Sequence, residues 1–297
     1  MVPHAKLIDV RQRDRERVIG AWDLGGAIVD PGPESRIETL LEGLTEEPRA
    51  LLLTHIHLDH AGASGALVER FPDLEIWVHA RGAPHLVDPA KLLASAERIY
   101  GGDMGPLWGR VVPVPERNIR VLEGGETFEA AGRRFAVEYT PGHASHHVVY
   151  FDQSDGTAYV GDVAGVRIPP SDFVQPPTPP PDIDVPAWLR SIDLVAERAP
   201  RCLALTHFGS VDEPLPHLER TRESLRQMAE LARRLLEESD GDVDEAGRAF
   251  VAEVNRATEE RTDARTAAGL EVGSPIGQRW AGLARYWQKQ AETATKP

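Results

Sequence analysis

Between residues 55 and 60 the chain reads His55-Ile56-His57-Leu58-Asp59-His60, directly behind the apolar run Ala50-Leu51-Leu52-Leu53. A short, uninterrupted apolar run of this kind reads as a buried strand. The imidazoles and the carboxylate therefore stand on the loop at that strand's C-terminal end. This limits the fold sharply, because an open α/β layer collects its ligands at the C-terminal ends of its strands. Imidazole and carboxylate donors together suit zinc, iron or manganese.

The other donors must be His, Asp or Glu, since the chain holds one cysteine, Cys202, and a closed structural zinc site usually draws on several. Cys202 itself opens the apolar run Cys202-Leu203-Ala204-Leu205 and reads as a strand thiol. Three more donors follow strand-like runs. His143 ends Thr140-Pro141-Gly142-His143, after Phe135 to Tyr139. Asp162 follows Gly161, after Thr157 to Val160. His207 follows Thr206, after the Cys202 run. Each alone is explained by a turn, a cap or a surface loop. Their conjunction, always behind a strand, points to a metal centre.

The order His-x-His-x-Asp-His, then Gly-His, then Gly-Asp, then a late His resembles the metallo-β-lactamase superfamily of hydrolases over roughly the first two thirds of the chain. Within it, the pattern is most similar to the glyoxalase II-like hydrolases. The resemblance implies that His55, His57 and His143 hold one metal. It places Asp59, His60 and His207 on a second, with Asp162 bridging the two. It also implies a four-layer α-β-β-α sandwich with a C-terminal helical extension. The expected cofactors are two divalent ions, zinc first, with iron or manganese as alternatives.

Two such ions about 3.5–4 Å apart share one hydroxide and clamp a substrate oxygen. Neutral imidazoles leave positive charge on the metals, and Asp59 and Asp162 offset enough of it to retain both ions. Asp59 has a second, catalytic role, orienting the hydroxide. The expected reaction is attack on the carbonyl of an ester, thioester or lactone. The alternatives are a phosphodiesterase with the same centre and a mononuclear iron persulfide dioxygenase-type enzyme, which would lose the second metal set. The basic and tyrosine residues that hold glutathione in glyoxalase II-like enzymes are not recognisable here.

A net charge of −14 argues against a polyanionic partner, since phosphate backbones are held by basic patches. The expected partner is a small-molecule substrate, with no nucleic acid and no membrane, and a homodimer as an option. No apolar run is long enough to span a bilayer, Met1 to Arg17 lacks a secretory h-region, and one cysteine forms no intramolecular disulfide. These features predict a cytoplasmic protein.

Apolar periodicity predicts short strands over 6–10, 17–22 and 27–30, a helix over 35–44, a helix over 61–70 and a strand over 75–79. Asp30-Pro31-Gly32-Pro33 reads as a turn, with Asp30 as a possible support for the metal loop. Eight of the 24 prolines fall between Pro169 and Pro186, which predicts an extended, stiff loop. Residues 163–168, leading into it, are expected to rim the pocket, with Arg167 reaching in as a substrate-binding cation. Residues 1–212 form the expected catalytic domain and 213–297 a helical extension packed on it. Within the extension, 262–273 reads as a flexible connection.

Overall fold

The structure is a computed structural model and describes residues 5–294; the chain ends beyond these, which the expected domain bounds include, lie outside the described residues. One sheet is made of β1 (Lys6–Asp9), β2 (Gly20–Asp23), β3 (Ala27–Val29), β4 (Ala50–Leu52), β5 (Glu75–His79) and β6 (Ile119–Leu122), in that spatial order. The second contains β7 (Thr127–Ala130), β8 (Arg133–Tyr139), β9 (Val148–Asp152) and β10 (Thr157–Tyr159). After a small hairpin of β11 (Val166–Arg167) and β12 (Val174–Gln175), it gains β13 (Cys202–Leu205) and β14 (Gly209–Val211). Its spatial order is β14-β13-β10-β9-β8-β7.

Strand periodicity decides how the layers stack. In β4, Ala50 and Leu52 face the second sheet, while Leu51 and the following Leu53 face the helices outside. Successive side chains point to opposite faces, so a strand buried on both sides must be apolar throughout. β3 divides likewise, with Ala27 and Val29 between the sheets and Ile28 outside. Phe135, Val137, Val148, Tyr150 and Tyr159 close that central core from the second sheet.

The outer face of the first sheet is covered by α1 (Ile37–Gly43), α3 (Ser64–Arg70) and α4 (Ala83–Val87), with α2 (Leu58–Ala61) carrying part of the histidine cluster. α5 (Ala90–Tyr100) and α6 (Met104–Trp108) form a smaller apolar group with Leu58. The outer face of the second sheet is covered by α7 (Val185–Glu197), α8 (Pro214–Glu238), α9 (Val243–Glu259) and α11 (Ile276–Ala294). The result is the expected four-layer sandwich with a C-terminal helical region.

Of the helices from Pro214 onward, α8, α9 and α11 share one apolar cluster with the sandwich. Leu218, Leu225, Phe250, Trp280 and Leu283 pack with Val149, Val160, Leu203 and Val211. The amphipathic stripes are what bind the region to the sheet. His217 adds a polar tie: it is buried, and its Nε2 lies 2.8 Å from the carbonyl of Ala164, which also accepts from Thr221 Oγ1 at 3.0 Å.

The expected flexible connection over 262–273 is a helix, α10 (Ala264–Gly273). The Asp263 carboxylate accepts from Thr266 N at 2.7 Å and caps its start. Leu270 buries against Val166 and Ile168. The segment has only a weak apolar stripe of its own, so its order comes from the packing that receives it.

Candidate metal centre

The C-terminal ends of β3, β4, β8, β10 and β13 meet at one edge of the sandwich. They deliver, in turn, Asp30, the loop of residues 54–60, the loop bearing His143, Asp162 and His207. Close approach needs glycine at two points. Gly161 adopts φ +47, and a Cβ there would lie 2.5 Å from Thr54 Oγ1 and 2.8 Å from His147 Nε2. Gly142, at φ +137, lies so near Trp188 that a Cβ would be 2.3 Å from its backbone.

Two groups of donors result, each with its ligand atoms within 4.8 Å of one another: His55, His57, His143 and Asp162, and then Asp59, His60 and His207. In the first, His57 Nδ1 lies 3.0 Å from both His55 Nε2 and His143 Nε2. His143 Nε2 lies 3.3 Å from Asp162 Oδ2. In the second, His207 Nε2 lies 3.3 Å from Asp59 Oδ2, and His60 Nε2 lies 3.8 Å from the same oxygen. Asp162 reaches this group through its other oxygen, Oδ1, at 3.2 Å from His60 Nε2 and 3.6 Å from His207 Nε2.

These separations fit a cation. Bonds of about 2.0–2.1 Å in tetrahedral array hold donors roughly 3.3 Å apart. His60 Nε2, His207 Nε2 and Asp162 Oδ1 are buried with no hydrogen-bond partner among the described residues. Buried polar atoms are rarely left so, and here Asp162 Oδ1 lies 3.2 and 3.6 Å from the other two, at the second group.

The outward ring nitrogens of His60, His143 and His207 are spoken for. His60 Nδ1–H donates to Asp30 Oδ2 at 2.8 Å, His143 Nδ1–H to Pro177 O at 2.8 Å, and His207 Nδ1–H to Val18 O at 2.6 Å. Each bond puts the proton on Nδ1 and leaves Nε2 bare toward the centre. Asp30 is the hub: its Oδ2 also accepts from Thr54 Oγ1 at 2.7 Å and Thr206 Oγ1 at 2.8 Å, and its Oδ1 from Thr54 N at 2.8 Å. His146 and His147 are not donors to either group. His147 Nε2 accepts from Asp162 N at 3.2 Å, while its Nδ1 faces Thr140 Oγ1 at 2.8 Å, so it positions the shared carboxylate.

Electrostatics separates the two groups. Burial, then the neighbouring imidazoles, hold His55 well below the ordinary histidine range and His57 at about 4. Burial also lowers His143, against Asp162. For His60 and His207, burial pushes down but is outweighed by the carboxylates, Asp162 foremost, so both are raised. Burial would raise Asp59 and Asp162, but His60 and its neighbours hold both low, Asp59 at about 2.

Burial therefore disfavours protonation in the first group, while the carboxylates favour it on His60 and His207. Metal ligation needs bare nitrogen. A second equivalent of zinc should thus release more protons per chain than the first. Its affinity should fall about tenfold per pH unit and per proton displaced as pH drops below the raised histidine values. Calorimetric titration in buffers of different ionisation heat reads both quantities. Equal proton release at the two steps would refute the distinction.

Residues 23–207, more than half of the chain, match the family model described as the metallo-beta-lactamase superfamily. The chain belongs to the metallo-beta-lactamase superfamily.

Among curated relatives of this superfamily chain, a metallo-beta-lactamase fold-containing protein of Sulfurisphaera tokodaii is 29% identical over 60% of this chain and 65% of its own length. A hydroxyacylglutathione hydrolase of Synechococcus is 30% identical over 46% of this chain and 42% of its own. The chain thus spans less than two thirds of either relative. The solved structure of the archaeal superfamily protein matches with TM-score 0.62 at 25% identity, over 75% of this chain and 85% of that one. A metallo-beta-lactamase family protein of Thermus thermophilus matches in fold over 97% of this chain and 93% of its own, with TM-score 0.66 at 21% identity. That second match extends through the C-terminal helices.

Above the two donor groups of this superfamily chain lies a cavity of about 460 Å³. Its floor includes His57, Asp59, His143, Asp162 and His207. One wall is apolar, with Leu92, Ala96, Tyr100, Leu107 and Trp108 from α5 and α6. The second is the proline-rich segment 177–182, and the third comes from the end of α10 and the start of α11.

Two expectations are corrected here. The residues rimming the cavity are the prolines themselves, not 163–168, because Val163, Ala164 and Val166 point into apolar clusters. Arg167 does not reach the cavity: its place in β11 turns the guanidinium outward, where it donates to Ser210 O at 3.2 Å. The cations that do line the cavity, Arg13, Arg81, Lys91 and Arg279, carry no local sequence signal.

Proposed function

We propose that the protein is a dinuclear metal-dependent hydrolase acting on the carbonyl of an ester, thioester or lactone of a small molecule. The observation that carries the reading is Asp162. One oxygen of its carboxylate faces His143, the other faces His60 and His207, and the second is buried without a hydrogen bond. A carboxylate so placed would hold two cations at once.

His55, His57 and His143 would hold one ion, and Asp59, His60 and His207 the other. Two divalent cations, zinc foremost with iron or manganese as alternatives, supply a nucleophile from water at neutral pH and polarise an acyl oxygen. The chain's own residues do the rest. His60, His143 and His207 are fixed in tautomer by Asp30, Pro177 O and Val18 O. Asp59, partly open to the cavity, offers an acceptor where a water proton must go. Tyr100, Leu92, Leu107 and Trp108 form a dry wall that receives the substrate's apolar part and strengthens polar contacts within. Similarity to hydroxyacylglutathione hydrolases supports acyl transfer to water as the reaction class.

Elemental analysis of the purified protein should find close to two ions per chain. A screen of aryl esters, thioesters and lactones should find hydrolysis that a chelator removes and added zinc restores. One ion per chain, or hydrolysis indifferent to chelation, would sink the reading.

A further inference from the structure

Arg279 is the buried cation of this cavity. It stands in the first turns of α11, is 2% exposed, and lines the cavity wall. Its Nε and Nη1 have no hydrogen-bond partner among the described residues. The carboxylate nearest its Nη2, Glu271 Oε2, lies 3.9 Å away, outside hydrogen-bond reach. That oxygen is already engaged, accepting from Ile276 N at 3.1 Å, and the Glu271 side chain is 54% exposed. Arg279 is held in place from behind, since its carbonyl accepts from Thr178 Oγ1 at 3.0 Å.

A guanidinium taken out of water normally brings its own carboxylates, because an unpaired buried charge is costly. Burial pulls Arg279 down to about 10, against the Glu271 carboxylate, yet it stays cationic at neutral pH. The other cations of the cavity, Arg13, Arg81 and Lys91, are exposed and hydrated. On the same wall, Ser274 Oγ is also buried without a partner. Two buried donor groups without partners thus stand on one wall of the cavity, the chemistry that an oxyanion would satisfy.

Resting on the hydrolase reading above, we propose that Arg279 is the receptor for an anionic oxygen group on the substrate, a carboxylate or a phosphate, held in fork geometry while the acyl carbon lies at the metal centre. Ser274 supplies an added donor. The substrate class is then an acyl ester or thioester bearing an apolar part for the α5–α6 wall and an anionic end for α11. A fork of N–H donors suits such a group better than an ammonium does.

The test uses three aryl esters with acyl chains of matched length, ending in a carboxylate, a phosphate or a methyl group, on the metal-loaded protein. Arg279→Gln should raise KM for the anionic esters about 10–100-fold, the loss expected for one charge-assisted bond. KM for the methyl ester should move less than about twofold. A rise confined to one anionic ester identifies which of the two the site accepts. An equal change for all three, or none, overturns the proposal. Glu271→Gln, a milder change at a half-exposed position, removes the neighbouring carboxylate charge and should lower KM for whichever anionic ester Arg279→Gln weakens, and not for the methyl-ended one; no change there counts against it. If the wild type hydrolyses none of the esters, the hydrolase reading fails by itself. The anion site is then decided by calorimetry, where wild-type protein should bind heptanoate at least tenfold more tightly than Arg279→Gln does and show no such difference with heptanol. Equal heptanoate binding overturns it.

Discussion

Asp162→Ala should lower kcat/KM of the metal-loaded protein by about 10³-fold or more, with the metal content falling below the two ions per chain proposed for the wild type. The size follows from what the carboxylate touches. Its two oxygens face both donor groups, at 3.3 Å from His143 Nε2 and 3.2 Å from His60 Nε2. A metal pair contributes several kcal/mol to charge stabilisation in the transition state, and about 1.4 kcal/mol is tenfold in rate. His55→Ala should act similarly through the first group alone. The fold should survive both changes, because His147 and the backbone hold the loop from outside. Elemental analysis, kinetics and near-ultraviolet circular dichroism on the same samples check the three parts. Full metal content with activity intact in Asp162→Ala would remove this residue from the centre.

Asp30→Ala costs stability as well as metal. Asp30 is fully buried, and four donors converge on its carboxylate: Thr54 N, Thr54 Oγ1, Thr206 Oγ1 and the His60 ring. Removing it strands all four. Breaking a buried charged network costs about 3–5 kcal/mol, which for a domain of this size lowers Tm on the order of 10 °C. Metal affinity at the second group should drop about 10–100-fold, because His60 loses the partner that fixes its tautomer. Asp30 also sits at φ +50, where alanine is strained and asparagine is tolerated. Asp30→Asn therefore separates the two effects: it keeps the backbone and the acceptor oxygen, and should retain most stability while still weakening the second group. If Asp30→Asn matched wild type in both thermal melting and zinc titration, the network would have no such role.

The ligand set was legible because strand ends follow a simple rule. An apolar run too short for a helix must be a buried strand, and polar residues behind it must lie at its mouth. The loop of residues 54–60, His143, Asp162 and His207 each obeyed that rule, and the structure gathers their ring and carboxylate atoms at one edge. The layers were expected from the resemblance those residues carry, and the structure realises them by dividing the two apolar faces of β3 and β4 between two cores. The amphipathic stripes of α8, α9 and α11 were equally plain, because a helix carries its period within itself.

What the sequence did not carry was the wall of the cavity. Arg167 stands five residues after Asp162, yet a two-residue hairpin strand turns it outward, while Arg279, more than a hundred residues away, comes to the same cavity as Asp162. Residues 264–273 showed little stripe, and they are helical because Val166 and Ile168 offer Leu270 a place to bury. The proline-rich segment was legible as stiff, but its seat beside His143 depends on Pro177 O meeting that ring. Metal donors are announced locally, since each must directly follow a strand that the local pattern reveals. Substrate contacts are not, since they depend on which distant helix packs across the opening. The sequence by itself marked the strand mouths and the seven candidate donors, because each follows a strand in the local pattern; tertiary packing alone decided which cations line the cavity.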